Sequence, residues 1–234
     1  MKYFALWLES PIQSWGVDSR FSLRSTFSFP TKSGIAGIIL SSLGRGGEER
    51  DFLRIFSALK ETAVSFKASS KNAGPSKMID FQVVGNGYDE NDDWALGMIP
   101  KKRDGGKAKK GGSKLTYRHY LQNAFFGVVQ EIDDSISVEV AEGLQNPHWP
   151  IYLGRRCCIP SYPVYNGTFE SESEAFDKLF LIAGEKGLVE SERLVEGYAE
   201  EAFDSFYLMD VPVAFGIRKE YSDRLVSIIR KTDG

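Results

Sequence analysis

The sequence predicts an α+β fold: a ferredoxin-like (RRM-like) domain with an extended β-hairpin and a small C-terminal accessory sheet. Three observations lead there. An apolar run from Lys2 to Glu9 precedes a capped helical pattern; an alternating run and a central apolar run follow, with an elaborated hairpin between them; a second helical pattern closes the first 150 residues. Strand, helix, strand, strand, helix and a returning strand is the split β-α-β order.

KYFALWLE is a compact apolar strand. SPIQSWG follows, and its Pro11, Trp15 and Gly16 suit a sharp turn. Arg20 and Arg24 then lead to Phe29-Pro30. TKSGIAGIILSSLG reads as a helix: Thr31 or Ser33 caps it, Ile35, Ile38, Ile39 and Leu43 form its buried stripe, and Gly44 ends it. A second helix is predicted from Glu48 to Lys60. In ETAVSFKA, Ala63, Ser65 and Lys67 face one way, and Val64, Phe66 and Ala68 the other. A strand from Met78 to Val84 precedes a long stretch rich in Gly, Asp and Lys. KLTYRHYL is extended again, NAFFGVVQEI is a central strand, and Ser135 to Leu144 is a helix stopped by Asn146-Pro147. Beyond Pro150 come a Gly-Arg-Arg loop, a helix near Ser173 to Ala183, and strands at Ser205 to Met209, Val213 to Lys219 and Arg224 to Arg230. No linker or repeat divides the chain, so 1–150 is read as the main domain and 151–234 as a small accessory region packed on it.

Composition sets the bounds. Hydrophobic residues make up 42% and charged residues 26% of the 234 residues, a balance that buries its own core. Aromatics reach 13%; such rings fill cores, and they also stack on bases. The net charge is −3, yet KKRDGGKAKKGGSK (101–114) alone carries +6, so the other residues carry −9. That segregation suits a polyanionic partner, or a solvated loop. Cys157 and Cys158 are adjacent and are the sole cysteines, which rules out a disulfide framework. Two His residues and no C-x-x-C spacing leave a zinc site unsupported, and no cofactor is expected. Gly44-Arg45-Gly46-Gly47 lacks the Gly-Lys-Ser/Thr ending of a phosphate-binding P-loop. No Ser-His-Asp order or paired-acid metal motif is present. The N-terminal apolar run is too short for a signal segment or membrane span, so the cytoplasm is the expected compartment.

Several residues have chemistry suited to nucleic acid. Lys32 sits at a helix N-terminus, where free N–H groups favour a phosphate, and Gly34 permits close backbone approach. Equally, Thr31 and Ser33 are caps with Lys32 pointing into water. Trp15 can stack on a base and Gln13 read a base edge, or Trp15 can anchor its loop in the core. Arg155 and Arg156 present guanidinium forks for phosphate oxygens, and at least one must face solvent or a ligand. Tyr117 and Tyr120 are expected on one face of their strand and Arg118 on the other.

SPIQSWG, FPTKSGIAGIILSSLG, TYRHYLQNAFFGVV and YLGRRCCIPSYPVYNGTF, in that order, resemble the fifth CRISPR-associated protein family of the RAMP superfamily, in its type I-E-like Cascade branch. The resemblance spans most of Met1 to Phe169; the tail matches loosely. It implies a non-catalytic subunit that binds the 5′ handle of the guide (CRISPR) RNA and caps the backbone filament for target DNA surveillance. Implied partners are the Cascade backbone subunit and the large subunit, with target DNA reached through the complex and no membrane. It also implies that Asp80 to Arg118 is a projecting hairpin "thumb", although the tract at 101–114 is longer and more basic than the family pattern. With this resemblance, the RNA-binding candidates are Gln13, Trp15, Gly16, Arg24, Thr31, Lys32, Ser33, Gly34, Arg118, Arg155 and Arg156.

One branch of the family instead cleaves precursor transcripts without a metal, and His119 beside Tyr117 and Lys114 offers acid–base groups for that. A lone strand His is otherwise a packing residue, and IQSWG and LGRR resemble the non-catalytic branch. A protein–protein adaptor is the third class.

Overall fold

In the computed structural model, which describes residues 1–16, 19–20, 22–69, 75–84, 91, 103–104 and 114–231, the apolar N-terminal run is strand β1 (Lys2–Glu9). Two-residue strands β2 (Ile12–Gln13), β3 (Ser19–Arg20) and β4 (Leu23–Arg24) follow. Helix α1 (Lys32–Ser42) starts where Thr31 accepts the N–H of Gly34. It ends as Gly44, at φ 67°, turns the chain, while Arg45 N–H returns to the Leu40 carbonyl; this is a glycine-terminated helix. Helix α2 (Arg50–Ser57) is shorter at both ends than the apolar pattern from Glu48 to Lys60 suggests.

Strands β5 (Glu61–Ala68), β6 (Ser76–Val84), β7 (Lys114–Gln122) and β8 (Phe125–Ile132) precede helix α3 (Asp134–Gln145), capped by Asp133. Strand β9 (Tyr165–Phe169) and helix α4 (Glu172–Glu185) then lead to β10 (Leu188–Glu196), β11 (Asp204–Ala214) and β12 (Glu220–Arg230). The expected strands at Ser205 to Met209 and Val213 to Lys219 are thus one long strand with a tight turn after it, and β10 escaped the sequence reading. Its alternation is blurred because LVESERLVE scatters charges over both faces.

Seven strands form one sheet in the order β11-β12-β10-β5-β8-β1-β9, with every pairing antiparallel. The C-terminal strands therefore extend the main sheet through β5 rather than building the small separate sheet expected of them. A second sheet holds β2, β7, β4 and β3 in that order, with β6 on β7. Its longest pairing, β6 with β7 from Ser76↔Gln122 to Val84↔Lys114, is an antiparallel hairpin that overlaps the segment from Asp80 to Arg118. Its tip, and nearly all of the basic tract 101–114, lies outside the described residues.

Period-two alternation sends each strand's side chains to two layers. Phe4, Leu6, Leu8, Ala63, Phe126 and Val128 pack under Ile35, Ile38 and Ile39 of α1 and Val140 and Leu144 of α3. Ala5, Trp7, Val64, Phe66 and Val129 meet Ala175, Leu179 and Ile182 of α4 on the opposite face. Both faces of the central strands are covered, so β1 reads as a continuous apolar run. No helix among the described residues is long and apolar enough to cross a membrane.

Candidate nucleic-acid interface

Three of the sequence motifs meet at one end of α1. The Ser14 N–H donates to the Leu153 carbonyl at 3.1 Å, joining the SPIQSWG loop to the Gly-Arg-Arg loop. Gly154, at φ 97°, lies so close to the first loop that a Cβ would stand 1.7 Å from the Ser14 carbonyl oxygen. The indole of Trp15 packs against α1, where a Cβ on Gly34 would come within 2.8 Å of the ring. Gly34 is thus there to admit Trp15.

Together these segments enclose an open cleft of about 550 Å³. The first loop contributes Ser14, Trp15 and Gly16, with Arg24 beside them; α1 contributes Thr31, Ser33, Gly34, Gly37, Ile38 and Ser41. Tyr152, Gly154 and Arg155 close one side. Phe215 and Lys219, from the turn between β11 and β12, and Tyr221, at the start of β12, complete the lining, and the sequence reading missed all three. No motif marks them, because a short charged and aromatic turn resembles any hairpin end.

Arg155 shapes the cleft as well as charging it. Its guanidinium donates to the His119 carbonyl at 3.1 Å and to the Arg24 carbonyl at 2.9 Å, and lies over the Tyr120 ring at 4.6 Å. Burial raises the Tyr120 phenol above its ordinary range, and its hydroxyl lies 3.4 Å from the Cys157 thiol. Arg156 is exposed and is not among the residues that line the cleft. Arg118 stands beside Arg24 in the β4–β7 register, outside the cleft lining. Tyr117 and Tyr120 fall on opposite faces, 41% and 2% exposed, because residues three apart in a strand point oppositely. Arg118 accordingly shares the face of Tyr120, correcting the expected arrangement.

Three candidates are occupied inside the protein. Gln13 is fully buried: its amide donates to the Leu8 and Ala124 carbonyls and accepts from the Trp15 indole. It holds the loop and has no free edge for a base. Trp15 is 1% exposed, forming floor rather than stacking platform. Lys32 is 1% exposed, with Nζ on the Leu59 carbonyl at 2.5 Å and on Glu196 at 2.8 Å. Its backbone N–H donates to Asp210 at 2.7 Å. A carboxylate of the protein therefore takes the place at the helix N-terminus where a phosphate was expected.

Lys32 belongs to a buried ionic cluster with no counterpart in the sequence reading. Arg224 grips Asp210 through two bonds of 2.7 Å and also reaches Glu196 at 2.6 Å and Glu61 at 3.0 Å. Its partners' charges raise the Arg224 pKa despite burial, which acts to lower it. Burial pushes the Glu61 carboxyl up to about 7 against the opposing pull of Arg224, and its second oxygen has no hydrogen-bond partner. Glu61 binds its proton more tightly folded than unfolded, so its contribution is complete below its ordinary pKa of 4.5 and is lost as pH rises to about 7. Across that window stability is expected to fall with a slope of up to about 1.4 kcal/mol per pH unit. Glu61→Gln, which keeps an acceptor for Arg224, should flatten that dependence in urea unfolding at successive pH values; an unchanged slope would assign it elsewhere.

The sequence matches the family described as CRISPR-associated protein (Cas_Cas5) over residues 3–226. It is 25% identical over 175 residues to the CRISPR system Cascade subunit CasD of Escherichia coli (strain K12), covering 72% of each chain. Among solved structures, a chain of a CRISPR RNA-guided surveillance complex superposes with a TM-score of 0.71 at 22% identity, over 97% of this chain and 89% of that one. A second, described as the crystal structure of a Cas protein, gives a TM-score of 0.60 at 23% identity, over 97% and 94%. With nearly its whole length matched, this chain belongs to the Cas5 family of CRISPR-associated proteins.

Proposed function

We propose that the cleft seats single-stranded RNA at the 5′ handle of a CRISPR guide, and that this chain is a non-catalytic holder capping the backbone filament of a Cascade-type complex. The observation that carries this reading is charge: among the described residues, Arg24, Arg155 and Lys219 line the cleft and no acidic residue does, in a chain whose net charge is −3. Cationic grooves flanked by aromatic rings are how proteins track a single strand.

The run β9-β1-β8-β5 has the last, first, third and second strands of a split β-α-β pair in order, all antiparallel. This supports a ferredoxin-like core in 1–150 completed by β9, with the rest of 151–234 as an accessory region. The β6–β7 hairpin fits the thumb. Its exposed Ile79, Phe81, Val83 and Tyr117 are apolar enough to lie against a neighbouring subunit, such as the repeated backbone subunit or the large subunit.

Arg24→Ala and Arg156→Ala are each expected to weaken binding of a handle-containing RNA about tenfold. Each should also reduce the slope of log K against log salt by about 0.7 for every phosphate that is no longer neutralised. Fluorescence titration at several salt concentrations reads both. Unchanged affinity and slope in the double variant would sink the proposal. So would cleavage of repeat RNA in EDTA that disappears in His119→Ala, since that outcome makes the protein a nuclease.

A further inference from the structure

The turn between β11 and β12 is the part of the cleft wall that no motif covers, and its construction is that of a fixed wall. Phe215 N–H donates to the Glu48 carbonyl at 3.0 Å, and Ser57 donates to the Pro212 carbonyl at 2.8 Å. Gly216, at φ 82°, sits against the backbone of Gly47. Arg50 holds Glu220 through paired bonds of 2.9 and 3.1 Å. The turn is thus tied to α2 and to the loop before it, and held over the cleft.

Those ties sort the charges. Glu220 is consumed by Arg50, and the pairing holds its carboxyl below the ordinary range. Its neighbour Lys219 is exposed, lines the cleft and has no acidic partner among the described residues. Tyr221 follows, 38% exposed, opposite Pro212 in the ladder. Burial raises its phenol above the usual value. A cation and an aromatic ring two residues apart, in a cleft also lined by Arg155 and Tyr152, match the needs of one nucleotide: charge for phosphate and a π-face for the base. A volume near 550 Å³ accommodates a small-molecule-sized group rather than a length of helix.

We propose that this turn closes the cleft around one splayed-out nucleotide of the RNA, with Tyr221 stacking on its base and Lys219 pairing with its phosphate. The inference rests on the RNA reading of the cleft and adds a base-recognition wall contributed by the C-terminal hairpin. The turn fixes which nucleotide enters, because the ring is held on a strand end rather than on a free loop.

The test uses the full chain and a short single-stranded RNA of handle sequence in which one abasic site is moved along the strand. The unmodified protein is expected to bind about tenfold more weakly when the abasic site reaches one particular position. Tyr221→Ala should bind the intact RNA about tenfold more weakly and show a flat abasic profile, while Tyr221→Phe keeps the profile and the fold. Lys219→Ala should keep the profile but reduce the salt slope by about 0.7. A Tyr221→Ala profile identical to that of the unmodified protein overturns the wall while leaving RNA binding intact. So does a flat profile in the unmodified protein. Failure of the unmodified protein to bind any of these RNAs overturns the RNA reading itself.

Discussion

Arg224→Ala is expected to destabilise the protein by about 3–5 kcal/mol, the cost of removing one partner from a buried ion pair. The guanidinium is 8% exposed and serves three carboxylates, of which Asp210 and Glu61 are each 1% exposed. Without it, Lys32 alone would face Asp210, Glu61 and Glu196, and an uncompensated buried charge is far costlier than the pair is beneficial. Arg224→Lys should recover part of the stability only, because an ammonium cannot reproduce the two-pronged grip on Asp210. The effect reaches the cleft, since Asp210 on β11 accepts the N–H of Lys32 and so pins the start of α1 to the strand that leads into the β11–β12 turn. Urea unfolding at neutral pH measures it. A destabilisation below about 1 kcal/mol would mean that the cluster behaves as a solvated surface pair.

What could be seen in the sequence was whatever is decided locally. Helix α1 was legible because its cap, apolar stripe and terminating glycine lie within one short segment, and β5 because Val64 and Phe66 alternate with Ala63 and Ser65. The meeting of the SPIQSWG and Gly-Arg-Arg loops, seen in the Ser14–Leu153 hydrogen bond, is not written in either segment, because each loop finds its partner about 140 positions away. Lys32 misled because its surroundings are set by residues far along the chain: Glu196 and Asp210 are 164 and 178 positions away. A lysine at a helix start looks solvent-facing until a distant hairpin covers it. Trp15 and Gln13 misled for the same reason, since both are claimed by carbonyls and a helix face outside their loop. The C-terminal strands were misjudged because a charged β10 hides the link that joins them to β5.

Gly154→Ala is expected to weaken RNA binding by on the order of 100-fold, through geometry rather than charge. A methyl group here would stand 1.7 Å from the Ser14 carbonyl oxygen, a backbone atom that cannot swing aside, and φ 97° is itself strained for alanine, by about 1–3 kcal/mol. The two loops must therefore separate, which breaks the Ser14–Leu153 hydrogen bond and draws Arg155 away from the His119 and Arg24 carbonyls. Gly16→Ala is the matched control: it lines the same cleft, but an added Cβ meets nothing within 4 Å, so its affinity should stay near that of the unmodified protein. Measured together, RNA affinity and thermal unfolding separate two explanations. If Gly154→Ala no longer binds while still unfolding cooperatively, the close approach of the two loops is what shapes the cleft. If it binds RNA as Gly16→Ala does, the loops can part without consequence, and Arg155 finds its phosphate from a position the native contacts do not impose.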